Sequence, residues 1–235
     1  MRFPTVVRSS GRSLAATSRT STVAWPNGIV PYEFRSGYNK EDELYIVEVM
    51  RKLEIMVAVN NVRCVQFRPR VSSDQYYIII ENGLGCSSYI GQNPGINMER
   101  IVTLQSPGCL YDGTVLHELL HTLGFHHEQS RPDRDNYVRI NWDNIQTGMD
   151  TQFEKYTIQT TTYLNTSYDY ESVMHYARTA FSQNSLPTIE PLQANVTIGQ
   201  RDRLSSTDIQ AVRLFYSCTS QGVTLPPPTI QNTSK

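Results

Sequence analysis

At 235 residues the chain is long enough for one substantial core or for two small subdomains flanking a cleft, and length alone leaves both open. Its 21 Lys+Arg against 22 Asp+Glu leave a net charge of -1, so no basic field points to a nucleic-acid partner. Hydrophobic residues at 39% and charged residues at 18% describe an ordinary globular protein, and the longest apolar runs, such as Tyr76 to Ile80, fall far short of the roughly 20 residues of a membrane-spanning helix.

In chain order, Met1 to Ala24 carries Arg2, Arg8, Arg12 and Arg19, many Ser and Thr and no acidic residue. Residues 1–24 are read as a leader or propeptide remnant. Phe3 to Val7 is too short for the about 7 to 15 apolar residues of a signal peptide, and an Arg- and Ser-rich, acid-free start is also how a mitochondrial transit peptide reads. A secreted chain that lacks its signal sequence fits the cysteines and sequons described below better.

Trp25-Pro26-Asn27-Gly28 reads as a turn and Ile29 to Phe34 as a short strand, so the folded domain is expected to begin near Trp25. Asn39 before Lys40, Glu41 and Asp42 marks a helix start, and Ile46, Met50, Leu53 and Val57 recur at helical spacing. Val62 to Phe67, Tyr76 to Ile80 and Ile101 to Gln105 read as strands. Thr114 to Leu123 reads as a helix stopped by Gly124. From Ser130 to Tyr170 the periodicity is weak, which predicts mostly irregular structure. Ser205 with Asp208 gives a capping pattern for a last helix with Ile209, Val212 and Phe215 on its apolar face. Residues 220–235, with Pro226-Pro227-Pro228, read as a tail or linker.

Cys64, Cys86, Cys109 and Cys218 are widely spaced, without the close pairs of zinc ribbons or thioredoxin-like sites, so two disulfides are expected, with three pairings open. Sequons at Asn165, Asn195 and Asn232 also favour an extracytoplasmic address and a glycoprotein.

The motif that carries chemistry is His117-Glu118-Leu119-Leu120-His121, continued through Gly124 to His127, which fills every fixed position of H-E-x-x-H-x-x-G-x-x-H. At this chain's own frequencies of His, Glu and Gly, such a coincidence is expected in fewer than about one in a hundred thousand chains. Residues four apart on a helix lie one turn above each other, so His117 and His121 can aim at one point. A third ligand cannot come from the next turn, and Gly124 lets the backbone reverse to bring His127 back. Three neutral imidazoles leave a position open, which is the catalytic rather than the structural type of zinc site. Glu118 stands where a general base for the attacking water is needed. His126 falls outside the motif and is expected to be a packed or exposed side chain.

From Trp25 to Cys218 the chain resembles the astacins, a branch of the metzincin zinc peptidases. The resemblance rests on Trp25-Pro26-Asn27-Gly28-Ile29-Val30-Pro31-Tyr32, on Gly85-Cys86-Ser87-Ser88-Tyr89-Ile90-Gly91, and on His127-Glu128-Gln129-Ser130-Arg131-Pro132-Asp133-Arg134-Asp135. Glu128 argues against the related adamalysins, which usually have Asp after the third His, and against the matrixins, which have a small hydroxyl residue there. Ser172-Val173-Met174-His175-Tyr176 resembles the Met-turn. The resemblance implies Met174 as a hydrophobic floor beneath the metal and Tyr176 as a resting zinc ligand that swings away to stabilise the oxyanion. It also implies Glu128 as the acceptor of the mature N-terminal amine, and the pairings Cys64 with Cys218 and Cys86 with Cys109. Ala177 departs from the Gly more usual in the family.

The expected fold is α+β and metzincin-like, with an astacin-like catalytic domain over 25–219 in two subdomains, about 25–124 and 125–219, flanking the cleft. The expected function is that of a secreted, monomeric endopeptidase that uses one zinc ion to hydrolyse protein or peptide substrates, with Glu118 as base and Tyr176 as oxyanion stabiliser. A rival of another class is a secreted binding protein that keeps zinc only for stability. Astacin precursors block their zinc with a propeptide Asp, yet residues 1 to 32 here hold no Asp, Glu or Cys. No carboxylate switch is therefore expected within this chain, and cuts at Arg12 or Arg19 are expected to order the cleft rather than to unblock the metal.

Overall fold

Side-chain caps start the helices at Lys40 and Ser206, the helix at Asp112 starts without one, and four of the five strands of the main sheet fall between the first two helices. The computed structural model describes residues 15–16, 23–95, 98–157, 161–162, 164 and 166–226. Arg12, Arg19, Asn165, Asn232, and Pro227 with Pro228 lie outside them, as does most of the segment read as a leader. The elements are β1 (Ala15–Ala16), β2 (Ile29–Phe34), α1 (Lys40–Val57), β3 (Gln66–Pro69), β4 (Ile78–Glu81), β5 (Cys86–Ser88), β6 (Arg100–Leu104), α2 (Asp112–Thr122), β7 (Val138–Ile140), β8 (Thr161–Thr162), β9 (Ile189–Pro191) and α3 (Ser206–Phe215).

Helix α1 starts where the Asn39 side chain accepts from the Asp42 amide at 2.8 Å, and Glu41, Asp42 and Glu43 place negative charge on its positive end. Ile46, Val49, Met50, Leu53 and Val57 make one buried stripe, each worth about 1.5–3 kcal/mol when fully buried. Glu54 is buried on the same helix, where its carboxylate accepts from the Phe67 amide at 2.6 Å and from Arg51 at 2.7 Å, so α1 is tied to β3.

The five-stranded sheet runs β3-β2-β4-β6-β5. The first four strands are parallel, with Tyr32 opposite both Pro69 and Ile78, and β5 closes one edge antiparallel to β6. The strand expected over Val62 to Phe67 lies later, at Gln66–Pro69. Val62 instead makes isolated bridges to Val59 and Thr224. Pro69 is tolerated because β3 is an edge strand.

Two apolar cores form. The larger gathers Val30, Leu53, Phe67, Ile80, Leu104 and Leu119 with Met174 and with Val212 of α3. The smaller gathers Val138, Phe153, Tyr168, Tyr176, Ile189 and Ile198 beneath the two-stranded β7-β9 pair. The described residues from Ser130 to Tyr170 are mostly turns and single 3-10 turns, as the polar sequence predicts, with the short strands β7 and β8 among them.

Helix α3 has a complete capping box between Ser205 and Asp208, and Arg213 covers the C-terminal carbonyls of α1, donating to Val57 at 3.0 Å. Disulfides join Cys64 to Cys218 and Cys86 to Cys109. Among the described residues no helix is long and apolar enough to cross a membrane.

Candidate metal and active site

Helix α2 begins two residues earlier than its sequence pattern implies, at Asp112, which accepts from Tyr45 at 2.7 Å and from Lys52 at 2.9 Å and so fastens α2 to α1. Gly113 follows because a Cβ there would stand 1.8 Å from the Arg201 carbonyl oxygen. From Val115 to Thr122 every side chain is buried, including His117, Glu118 and His121.

The helix ends in a Schellman motif. Phe125 N–H donates to Leu120 at 3.0 Å and Gly124 N–H to His121 at 2.9 Å, with Gly124 in the left-handed region at φ 106°. This reversal returns His127 to α2, and Trp25 locks it from outside by donating its indole N–H to the Thr122 carbonyl at 2.8 Å.

His117, His121 and His127 converge. The Nε2 atoms of His121 and His127 are 3.1 Å apart, and those of His127 and His117 3.3 Å apart. These separations match the about 3.3 Å edge of a tetrahedron with arms of roughly 2.0–2.1 Å, the zinc–imidazole bond length. Backbone carbonyls aim two of the rings: His117 Nδ1 donates to Val173 at 2.9 Å and His121 Nδ1 to Phe125 at 2.7 Å. A carbonyl only accepts, so both rings carry their proton on Nδ1 and turn a bare Nε2 lone pair inward. Burial holds all three imidazoles below their ordinary pKa, with His121 at about 4. Neutral, desolvated nitrogen donors at these distances are a set that fits one zinc ion.

Glu118 lines the same cleft, about 600 Å³ in volume, together with Ser88 of the sheet edge, Thr114, Tyr176 and Arg201. Its Oε2 is buried without a hydrogen-bond partner. Desolvation pushes its carboxyl up to about 7, with the Arg201 guanidinium pulling the other way. Tyr176 is buried, its ring centroid 4.3 Å from that of His127, and its backbone N–H donates to Gln129 at 3.1 Å. Desolvation lifts its phenol to about 12.

Met174 is buried in the larger core, and its carbonyl accepts from the Glu128 amide at 3.1 Å. Glu128 is itself buried and accepts from Arg131 at 3.0 Å and from the Asp169 amide at 2.8 Å through one oxygen. His126 stands apart from the three converging rings. It packs on Tyr156 with centroids 3.9 Å apart, and its Nδ1 is buried without a partner.

Two residues near the site were not singled out for it from sequence. Arg201 reaches the cleft wall and donates to the His175 carbonyl at 3.0 Å, and no local pattern marks it. Asp208 is visible in sequence only as a helix cap, yet it also accepts from Ser172 and Val173 beside the site.

Comparison with known proteins agrees with this geometry. The peptidase family described as "Astacin" matches residues 17–217. The chain is similar to zinc metalloproteinase nas-13 of Caenorhabditis elegans, 41% identical over 210 residues that cover 89% of this chain and 44% of that protein. It is also similar to blastula protease 10 of Paracentrotus lividus, 37% identical over 218 residues, covering 89% of this chain and 35% of the relative. The chain thus spans less than half the length of these two curated relatives. Among solved structures it resembles high choriolytic enzyme 1, a hatching enzyme zinc-protease of the medaka Oryzias latipes, with TM-score 0.77 and 37% identity over 87% of this chain and 100% of that one.

Proposed function

The chain belongs to the astacin family, and from that premise we propose that it is a secreted zinc endopeptidase hydrolysing internal peptide bonds of protein substrates. The observation that carries the reading is the convergence of three Nε2 atoms beside a carboxylate oxygen of Glu118 that no protein group occupies. His117, His121 and His127 hold the metal. When bound, zinc supplies Lewis acidity, acidifying water and polarising a carbonyl.

Glu118 takes the proton of the water as it attacks the scissile carbonyl and delivers it to the leaving amine. Burial raises the pKa of the Glu118 carboxyl in the metal-free protein, which makes it a stronger proton acceptor than an exposed carboxylate. Tyr176, whose phenol burial holds in the protonated form, donates its phenolic hydrogen to the developing oxyanion in the cleft that it lines. Met174 supports the site from the core side, and Glu128 anchors the turn after His127 through Arg131 and Asp169.

We read residues 25–219 as the catalytic unit, a monomer with subdomains of about 25–124 and 125–219 on either side of the cleft; the smaller core, drawn wholly from the second of these, supports that reading, while Met174 and Val212 of the same stretch pack into the larger core. Two disulfides support an oxidising, extracellular address. Of the three sequons, Asn195 is exposed in a left-handed turn and open to glycosylation. The test is cleavage of casein or a quenched peptide by the purified chain. Activity abolished by a chelator and restored by zinc is expected, and activity in a zinc-free preparation would refute the metal mechanism.

A further inference from the structure

The box that caps α3 reaches further than its helix. Asp208 is almost wholly buried, and its two carboxylate oxygens accept three hydrogen bonds. Ser205 N–H comes at 3.0 Å, which is the capping box; Ser172 Oγ at 2.7 Å and Val173 N–H at 3.0 Å come from the loop beside the three histidines. Ser172 Oγ in turn accepts from Met174 N–H at 3.0 Å. One carboxylate therefore holds three consecutive residues of that loop.

This loop is what the ligand side of the site leans on. The Val173 carbonyl is the acceptor for His117 Nδ1, at 2.9 Å. The Met174 carbonyl receives the Glu128 amide, next to His127, at 3.1 Å. A metal-binding imidazole keeps its tautomer and its aim through the acceptor on its far nitrogen, and an acceptor on an irregular loop is only as well placed as the loop. Ser172, Val173 and Met174 lie outside helix and strand, so side-chain hydrogen bonds do much of the work of fixing them.

We propose that Asp208 is a positioning residue of the zinc site, aiming His117 through the Val173 carbonyl and thereby joining the cap of α3 to metal affinity. The proposal rests on the zinc reading above and adds to it a residue 91 positions along the chain from His117, with no contact to the cleft.

The test separates metal placement from helix capping. Zinc affinity is measured by competition with a chromophoric chelator, ligand geometry by the visible spectrum of the cobalt-substituted protein, and stability by unfolding of the zinc-free protein. Asp208→Ala is expected to weaken zinc binding about tenfold or more and to alter the cobalt spectrum. Asp208→Asn, which keeps an acceptor in place without the charge, is expected to restore most of the affinity. Ser205→Ala breaks the capping box from its other side and leaves the bonds from Ser172 and Val173 to Asp208 in place, while also removing the Ser205 hydroxyl's bond to Asp169. It is expected to lower zinc-free stability while retaining the parent's zinc affinity and spectrum. Should Asp208→Ala fail to fold, Ser172→Ala, which leaves the cap whole, is expected to weaken zinc by a few-fold.

Parent-like zinc affinity in Asp208→Ala or Ser172→Ala would overturn the proposal. So would a Ser205→Ala variant as weak as Asp208→Ala, or an Asn variant that restores nothing. A parent chain that binds no zinc would instead overturn the three-histidine reading beneath it.

Discussion

His121 Nδ1 donates to the carbonyl oxygen of Phe125 at 2.7 Å, so the turn that ends α2 also aims the second imidazole of that helix. Both depend on Gly124, whose φ of 106° L side chains rarely adopt and whose missing Cβ would stand 3.1 Å from Val23 Cγ1 and 3.2 Å from a Phe215 ring carbon. Gly124→Ala is expected to cost about 1–3 kcal/mol of zinc-free stability and to weaken zinc binding with it. Thermal unfolding and chelator competition check both, and an alanine variant matching the parent in both would contradict this account of the turn.

The two disulfides are expected to act differently. Cys64–Cys218 closes a loop of sequence separation 154 and Cys86–Cys109 one of 23, for which the chain-entropy argument gives about 5 and about 3 kcal/mol. Cys86, however, lies on β5 and lines the cleft. The Cys64→Ser/Cys218→Ser pair should lose more stability, and Cys86→Ser/Cys109→Ser should raise KM more. Denaturant unfolding and steady-state kinetics on one peptide distinguish them, and the reverse order in either measurement would count against the assignment.

Tyr176→Phe removes only the phenolic hydroxyl. If that group helps in the transition state alone, kcat falls by roughly 10- to 100-fold while KM changes little. A KM rise with unchanged kcat would assign Tyr176 to ground-state binding instead.

Acid should destabilise the zinc-free fold through its buried histidines. His175 is fully enclosed, takes the Tyr168 hydroxyl on Nε2 at 2.8 Å and directs Nδ1 to the Tyr176 carbonyl at 2.8 Å. Burial lowers its pKa from 6.5 to about 4. Above about 6.5 the ring is neutral in folded and unfolded chains alike. Below that pH the unfolded chain takes up a proton that the folded one refuses, so stability falls progressively until about pH 4, by on the order of 3 kcal/mol for this group. His175→Gln should flatten the slope between those limits by up to one proton, read from urea midpoints across pH. An unchanged slope would refute the assignment.

Much of this was legible in the sequence, for reasons that name its limits. Asn39 and the Ser205/Asp208 pair announce α1 and α3 because capping is a local transaction, and the spacing of His117, His121 and His127 announces the metal site because helix geometry alone brings two of them together. The start of α2 was less clear, since Gly113 reads as a breaker until the backbone of Arg201 and Asp202 is seen against it. The second half is harder for a related reason. Arg131 is fully buried there, held by Glu128, Asp133 and the Ser167 carbonyl, and apolar periodicity cannot register a polar core. Asp208 as a cap could be read from its neighbours, but its hold on Ser172 and Val173 is a contact 35 and 36 positions long.

The central claim is that three histidines hold a zinc ion and that Glu118 moves the proton. Its most direct test measures bound zinc and quenched-peptide cleavage side by side in the parent and in Glu118→Ala. The account predicts one zinc per chain in both proteins, the parent's fold in both, and turnover in the variant reduced by about 10²- to 10⁴-fold. A zinc-replete, folded Glu118→Ala variant that cleaves the peptide as fast as the parent would contradict it.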